Sequence, residues 1–346
     1  MAHTRGKTNS IGLQKHDYRG NDTTLCAGCG HISIGSQIIT TAYELGLQPE
    51  RIVKISGIGC SSKSPAYFLN RSFAFNALHG RMPSVASGAM LANRDLISLG
   101  ISGDGDTGSI GLGQFKHAIR RNTPMVYIVE NNGVYGLTKG QFSATADEGQ
   151  MLKYYGKNEL PSMDLCLEAI VSDCGFVARS FAGDPKQLRP LLKAAISYNG
   201  TAFLDIISPC VAFNNTASST KGYEWVRDHD APLHDITYVP LREEITADYE
   251  PGETRTVTLH DGSHIILRKL DKTYNPSDRV IAIQALEHAK EEGTLVTGLI
   301  YCNPGRATIV ETEMLTEIPL VHLSEADIRP SKENLHAIMA LSLIHI

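Results

Sequence analysis

Two polar turns, each closing an apolar run, carry the first chemistry legible in this chain. Gly103-Asp104-Gly105-Asp106 follows Leu96-Ile97-Ser98-Leu99-Gly100-Ile101-Ser102, and Glu130-Asn131-Asn132 follows Met125-Val126-Tyr127-Ile128-Val129. A glycine turn that opens a helix presents free backbone N–H groups to a phosphate. An aspartate inside that turn repels bare phosphate, so a cation must lie between them. A carboxylate from Asp104 and an amide oxygen from Asn132 are hard donors that suit Mg²⁺ bridging to a diphosphate. A dinucleotide site would instead show Gly-x-Gly-x-x-Gly with its acidic residue well downstream.

The second set of reactive residues is cysteine. Cys26 and Cys29 form a C-x-x-C at a helix start, Cys60 stands directly after a short apolar run, and Cys210 follows another. All four can gather at one end of a sheet, where thiolates hold zinc or an iron–sulfur cluster. Structural zinc usually takes local pairs; one pair with two distant single cysteines fits a buried cluster better, and a redox pair is a third option. Cys166, Cys174 and Cys302 lie in apolar contexts and read as packing residues.

These turns need a scaffold. Gly111 to Arg121 reads as a helix between the two apolar runs, giving strand, glycine turn, helix, strand: one βαβ unit with its loops at the carboxyl ends of parallel strands. Open α/β sheets bind ligands there. Ile34, Ile38, Ala42 and Leu45 fall at helical spacing before Gly46, and Arg51 to Ser56 reads as a strand running into Gly57-Ile58-Gly59-Cys60. Residues 66–82 look irregular, Pro83 to Asn93 suits a closely packed helix, and 134–150 is a loop placed to cover the site. Two further helices are expected over 162–176 and 184–198, with a strand at Phe203–Ile207. Beyond residue 230 the composition shifts. A two-residue Asp261-Gly262 turn between alternating runs predicts a hairpin, and a helix from Ser277, its N-cap, to Glu292 is stopped by Gly293. The expected fold is α/β, a mostly parallel sheet flanked by helices. Residues 1–20 read as an N-terminal arm, 21–230 as the cofactor domain and 231–346 as a C-terminal α+β extension. The apolar end, Leu341 to Ile346, reads equally as a docking tail or a frayed terminus.

At 346 residues the chain can bury a large core, and its net charge of −5 with no basic stripe argues against nucleic acid. No apolar run approaches the roughly 18–20 residues of a membrane helix, and no apolar segment follows the basic start as a secretory signal would. The expectation is a cytoplasmic protein with reduced thiols.

The Gly-Asp-Gly turn answered by Asn132 resembles the thiamine-diphosphate enzymes, and the resemblance implies Asp104, Asn132 and the carbonyl of Val134 as the magnesium ligands. Cys26-Ala27-Gly28-Cys29-Gly30-His31, Ser56-Gly57-Ile58-Gly59-Cys60-Ser61-Ser62-Lys63, His79-Gly80-Arg81, Gly103 to Asp106 and Tyr135-Gly136-Leu137-Thr138-Lys139-Gly140-Gln141 occur in that order. Together they are similar to the β subunit of 2-oxoacid:ferredoxin oxidoreductases, particularly the 2-oxoglutarate type, over about residues 20–225. The resemblance implies a thiamine-diphosphate-binding fold, a [4Fe–4S] cluster on Cys26, Cys29, Cys60 and Cys210, and oxidative decarboxylation of a 2-oxo acid with coenzyme A, electrons leaving to ferredoxin. Ala27 stands where proline is usual, but it supplies no ligand. The resemblance further implies that Lys63 binds the substrate carboxylate and that Leu137 lines its pocket. His79 and Arg81 steady cofactor or substrate, or form a simple polar pair. Gly103, Gly105, Asp106, Gly136, Thr138 and Gln141 belong to the cofactor turn and loop, while His31 caps its helix or packs near the cluster. No glutamate for the aminopyrimidine ring is identifiable, and the resemblance implies that an α subunit supplies it in an (αβ)₂ assembly. Two other readings share parts of the pattern: a non-oxidative thiamine-diphosphate decarboxylase or synthase without a cluster, and a zinc-stabilised scaffold subunit.

Overall fold

The computed structural model describes residues 7–241, 254–269, 274–329 and 331–343. The first six residues of the expected arm and the last three of the apolar terminus lie outside them.

Four strands build the half of the sheet nearest the polar turns: β1 (Ile52–Ser56), β2 (Phe73–Asn76), β3 (Ile97–Gly103) and β4 (Met125–Asn131). Two short hairpins follow, β5 (Val134–Tyr135) with β6 (Gln141–Phe142), then β7 (Met151–Leu152) with β8 (Gly156–Lys157). The sheet resumes with β9 (Phe176–Phe181), β10 (Thr201–Ile207) and β11 (Asp230–Pro232). Strands β12 (His234–Val239), β13 (Thr254–Thr258) and β14 (His264–Lys269) form a separate antiparallel sheet, and β15 (Leu295–Cys302) returns to the main one. The eight-stranded order is β11-β15-β9-β10-β4-β3-β1-β2, with every pairing parallel except β15 on β9. The C-terminal segment therefore completes the sheet's far edge as well as forming its own small one.

A parallel sheet is covered on both faces, and its central strands β1, β4, β9 and β10 are correspondingly buried along their whole length. Alternation along β4 divides them: Val126 and Ile128 pack with one core, Met125, Tyr127 and Val129 with the other. The first core receives Ile34 and Ile38 of α1 (Gly30–Glu44) and Leu188, Leu191 and Leu192 of α5 (Pro185–Ser197). The second receives Met82, Ala86 and Met90 of α2 (Met82–Ala92), Phe115 and Ile119 of α3 (Leu112–Arg120), Leu165 of α4 (Leu165–Val171) and Leu286 of α7 (Arg279–Glu292). Val226 of α6 (Tyr223–His229) joins Phe181, Ile207 and Leu295 in a small third cluster.

Several expectations are corrected. The helix expected over 162–176 is only α4, capped by Asp164, whose side chain accepts from the Cys166 and Leu167 N–H groups. The chain then turns through Asp173, at φ 67°, into β9. Residues 176–178 are a short apolar run buried on both faces, which periodicity cannot tell from a helix end. The stretch 66–82, read as irregular, contains edge strand β2. The hairpin is present, but its connection is three residues, 260–262: Leu259 N–H bonds Ser263 O at 2.8 Å, and Gly262 takes φ 79°. Helix α7 is capped by Asp278, not Ser277, and ends at Gly293 in the left-handed conformation. No helix among the described residues is long and apolar enough to cross a membrane.

Candidate active site

The carboxyl ends of β1, β3 and β4 meet around a cavity of about 90 Å³. Its lining includes Gly103, Asp104, Gly105, Asp106, Asn132, Val134, Gly136, Leu137, Thr138 and His79, so both polar turns and the covering loop are brought together. After β3 the chain passes through a π-helical turn, Gly105–Ile110, before α3. Such widened turns redirect the backbone and are common at functional sites.

Asp104 is buried beneath the turn. Its Oδ1 accepts from the Asn132 N–H at 3.3 Å, and its Oδ2 lies 2.7 Å from Thr145 Oγ1 and also accepts from Ser143 Oγ. Asn132 is fixed in turn by the Val134 N–H, which donates to its Oδ1 at 3.0 Å. Burial raises the Asp104 pKa, opposed by these hydrogen bonds. A buried carboxylate beside an amide oxygen is a site that a cation would relieve.

Asp106 is buried too, and its carboxylate is the knot joining three segments. It accepts from Gly80 N at 2.7 Å, Ser102 Oγ at 2.6 Å, Ile58 N at 3.3 Å and from His79 Nδ1. Gly57 makes the approach possible, since a Cβ there would sit 1.7 Å from Asp106 Oδ2. Asp106 thus reaches the cavity chiefly through the turns it holds, and His79 is positioned by it. Arg81 is exposed and lines no cavity here.

A second cavity, about 210 Å³, adjoins the first; His31, Cys60, Asn132, Gly136 and Leu137 line both. Cys26, Cys29, Cys60 and Cys210 all face it, together with Lys63. No disulfide forms among the described residues, and no three His, Cys, Asp or Glu side chains there close on a single ion. The four thiols stand around a space instead. A Cβ on Gly136 would be 3.4 Å from Cys60 Sγ and 3.8 Å from Cys210 Sγ, so the loop's bare backbone forms one wall. Burial and neighbouring thiols push Cys29 up to about 12, and burial raises Cys60 and Cys210, with Lys63 opposing at Cys60. Thiols so placed ionise only with a cationic partner, and this donor set fits a multi-iron cluster. Lys63 is exposed at the rim, its Nζ 3.4 Å from Thr24 Oγ1. Leu137 is 49% exposed, and Thr138 bonds Gln141 across its loop. Cys166, Cys174 and Cys302 are wholly buried in the core, as expected for packing residues.

Residues 57–206 match the family "Thiamine pyrophosphate enzyme, C-terminal TPP binding domain". The chain is 36% identical, over 74% of its length and 78% of the relative's, to a 2-oxoacid:ferredoxin oxidoreductase subunit beta of Sulfolobus sp. It belongs to that family of β subunits. A 2-oxoglutarate oxidoreductase subunit KorB of Mycobacterium tuberculosis is 40% identical over 55% of this chain, which spans about half (51%) of that relative. Among solved structures, 2-oxoglutarate:ferredoxin oxidoreductase from Magnetococcus marinus, with 2-oxoglutarate, coenzyme A and succinyl-CoA bound, superposes with a TM-score of 0.74. That match has 29% identity and covers 94% of this chain and 96% of the other. The expected fold and thiamine-diphosphate-dependent oxidoreductase class are borne out.

In this 2-oxoacid:ferredoxin oxidoreductase β subunit, the motifs left several participants unassigned. Glu130, next to last in β4, is wholly buried, accepts from Ser64 Oγ at 2.8 Å and lies 3.4 Å from His31 Nδ1. Burial raises its pKa well above the usual carboxylate value and lowers His31 to about 4. A carboxyl closing an otherwise apolar buried strand was the visible signal for Glu130. Ser143 and Thr145 carried none, because only the folded loop brings them to Asp104. Lys54, buried in β1, donates to the carbonyls of Pro65 (2.7 Å), Phe68 (2.7 Å) and Leu69 (3.0 Å) and so secures the Ser61–Tyr67 turn behind Cys60.

Proposed function

We propose that this chain is the cofactor-carrying β subunit for oxidative decarboxylation of 2-oxoglutarate with coenzyme A, giving succinyl-CoA and CO₂. The observation that carries the reading is the adjacency of the two cavities: a diphosphate–magnesium set and four cysteines from distant parts of the chain share a wall. When bound, thiamine diphosphate supplies the carbon nucleophile and electron sink, and a [4Fe–4S] cluster accepts electrons one at a time. Asp104, Asn132 and the Val134 carbonyl hold magnesium, and Gly103 and Gly105 let the backbone approach the diphosphate. Cys26, Cys29, Cys60 and Cys210 hold the cluster. Lys63 receives the substrate carboxylate from the rim of the cysteine cavity, Leu137 shapes the wall common to both cavities, and Thr138 and Gln141 keep the loop closed. His79, held by Asp106, orients the turn; Arg81, at the N-terminal boundary of α2, acts outside the cavity. Residues 21–230 form the cofactor domain and 231–346 the extension.

An α subunit completes the site, in an (αβ)₂ assembly that passes electrons to ferredoxin. The cofactor cavity in this chain is about 90 Å³, far below the roughly 300–1,000 Å³ of complete ligand sites, so a second wall is required. Ile58 (39% exposed) and Leu137 line that cavity, and Leu78 beside it is 79% exposed, giving an apolar rim for the partner. Turnover of 2-oxoglutarate by this chain alone would sink the two-subunit reading. The first test is iron and acid-labile sulfide on anaerobically purified protein: about four of each per chain, lost in Cys210→Ala while thiamine diphosphate still binds. Cofactor binding with no iron in the parent protein would favour a non-oxidative decarboxylase.

A further inference from the structure

His31 stands at the second position of α1, 1% exposed, on the wall shared by both cavities. Its Nδ1 lies 2.6 Å from Ser208 Oγ, while its Nε2 is buried with no hydrogen-bond partner. Ser64 Oγ donates to Glu130, and the only partner of Ser208 Oγ among the described hydrogen bonds is His31 Nδ1. A Ser208 O–H that donates to Nδ1 leaves the neutral ring's single proton on Nε2, and the ring lines the cavity that Cys29, Cys60 and Cys210 also line. A buried polar group left unsatisfied costs about 1–3 kcal/mol, so an unpartnered Nε2 on a ring that lines the cysteine cavity points to a partner the protein itself does not supply.

We infer that His31 Nε2–H donates a hydrogen bond to a sulfur of the iron–sulfur cluster, with Ser208 fixing the tautomer, so that this pair sets the cluster's reduction potential. The inference rests on the cluster reading above. Hydrogen bonds to cluster sulfurs stabilise the reduced, more negative state and raise its potential. His31 is then a positioning and tuning residue that makes the cluster a better acceptor from the neighbouring cofactor cavity, without touching substrate.

The test is a redox titration of the cluster, followed by electron paramagnetic resonance, on anaerobically purified holoprotein and three variants of matched iron and sulfide content. His31→Leu is expected to disfavour reduction about tenfold, a downward shift of about 59 mV for one electron. His31→Gln, which retains an N–H donor, should recover most of that shift. Ser208→Ala, which frees the ring to place its proton on either nitrogen, should fall between the two. Unchanged potentials in His31→Leu, or equal shifts in the Leu and Gln variants, would overturn the assignment. If His31→Leu fails to fold, Ser208→Ala and His31→Gln still decide: Ser208→Ala at the parent potential overturns it. Absence of iron from the parent protein would refute the underlying cluster reading and be distinguished from these outcomes by metal analysis alone.

Discussion

Replacing Gly57 by alanine tests whether the Asp106 knot organises the cofactor turns. A Cβ at residue 57 would lie 1.7 Å from Asp106 Oδ2, 2.5 Å from its Cγ and 2.7 Å from its Oδ1, so the carboxylate must leave its place. That carboxylate is 2% exposed and accepts from Gly80, Ile58, Ser102 and His79, so moving it breaks bonds to three segments. Overpacking alone costs about 1–3 kcal/mol, and each lost hydrogen bond to a charged acceptor about 1.5–3 kcal/mol. Losing one of the four with the clash partly relaxed gives roughly 3–5 kcal/mol, a large share of the about 5–15 kcal/mol available to a folded chain. Urea denaturation would read this, with Gly88→Ala as the matched control. Gly88 lies exposed inside α2 with nothing within 4 Å of its missing Cβ, so alanine there should stabilise by about 0.5–1 kcal/mol. Because the penalty works through the carboxylate, Gly57→Ala made in an Asp106→Ala background should cost under about 1 kcal/mol more. A single Gly57→Ala variant as stable as the parent, or a penalty undiminished in the Asp106→Ala background, would refute the reasoning.

Lys54→Met should destabilise by roughly 2–5 kcal/mol in the same assay, because three buried carbonyls lose their donor, and should lower iron content by loosening the turn behind Cys60. Asp104→Asn should weaken magnesium-dependent thiamine diphosphate binding at least about tenfold in calorimetry without lowering the melting temperature of the cofactor-free chain. Burial raises the Asp104 pKa, so its ionised form costs that chain stability as the pH rises through the folded value, and the amide removes the cost. His234 titrates in the opposite sense: burial holds its pKa below 6.5, so under that pH the unfolded chain takes up a proton that the folded one refuses, and stability falls on acidification. Denaturation midpoints at pH 7.5 and 5.5 should converge in His234→Phe if this ring contributes the difference.

The sequence alone determined what is local or periodic. The Gly-Asp-Gly turn, Asn132, the C-x-x-C pair and the helix periodicity of α1 follow from residue type and spacing, because turn geometry and amphipathic packing are set within a few residues. The apolar runs of β1, β3 and β4 announced a buried parallel sheet for the same reason. Only the tertiary structure decided the rest. It identified 176–181 as a strand, since a short run buried on both faces has no period to betray it, and carried 295–302 back to the sheet as an antiparallel partner. It brought Cys210 to Cys26, Cys29 and Cys60 in one cavity, Ser143 and Thr145 onto Asp104, and Ser208 onto His31. It also made Asp106 a buried knot that ties Ile58, His79, Gly80 and Ser102 together. Those pairings span from tens of residues to well over a hundred, and side-chain hydrogen bonding at such separations leaves no periodic trace. They are fixed by which strand ends the folded sheet places side by side.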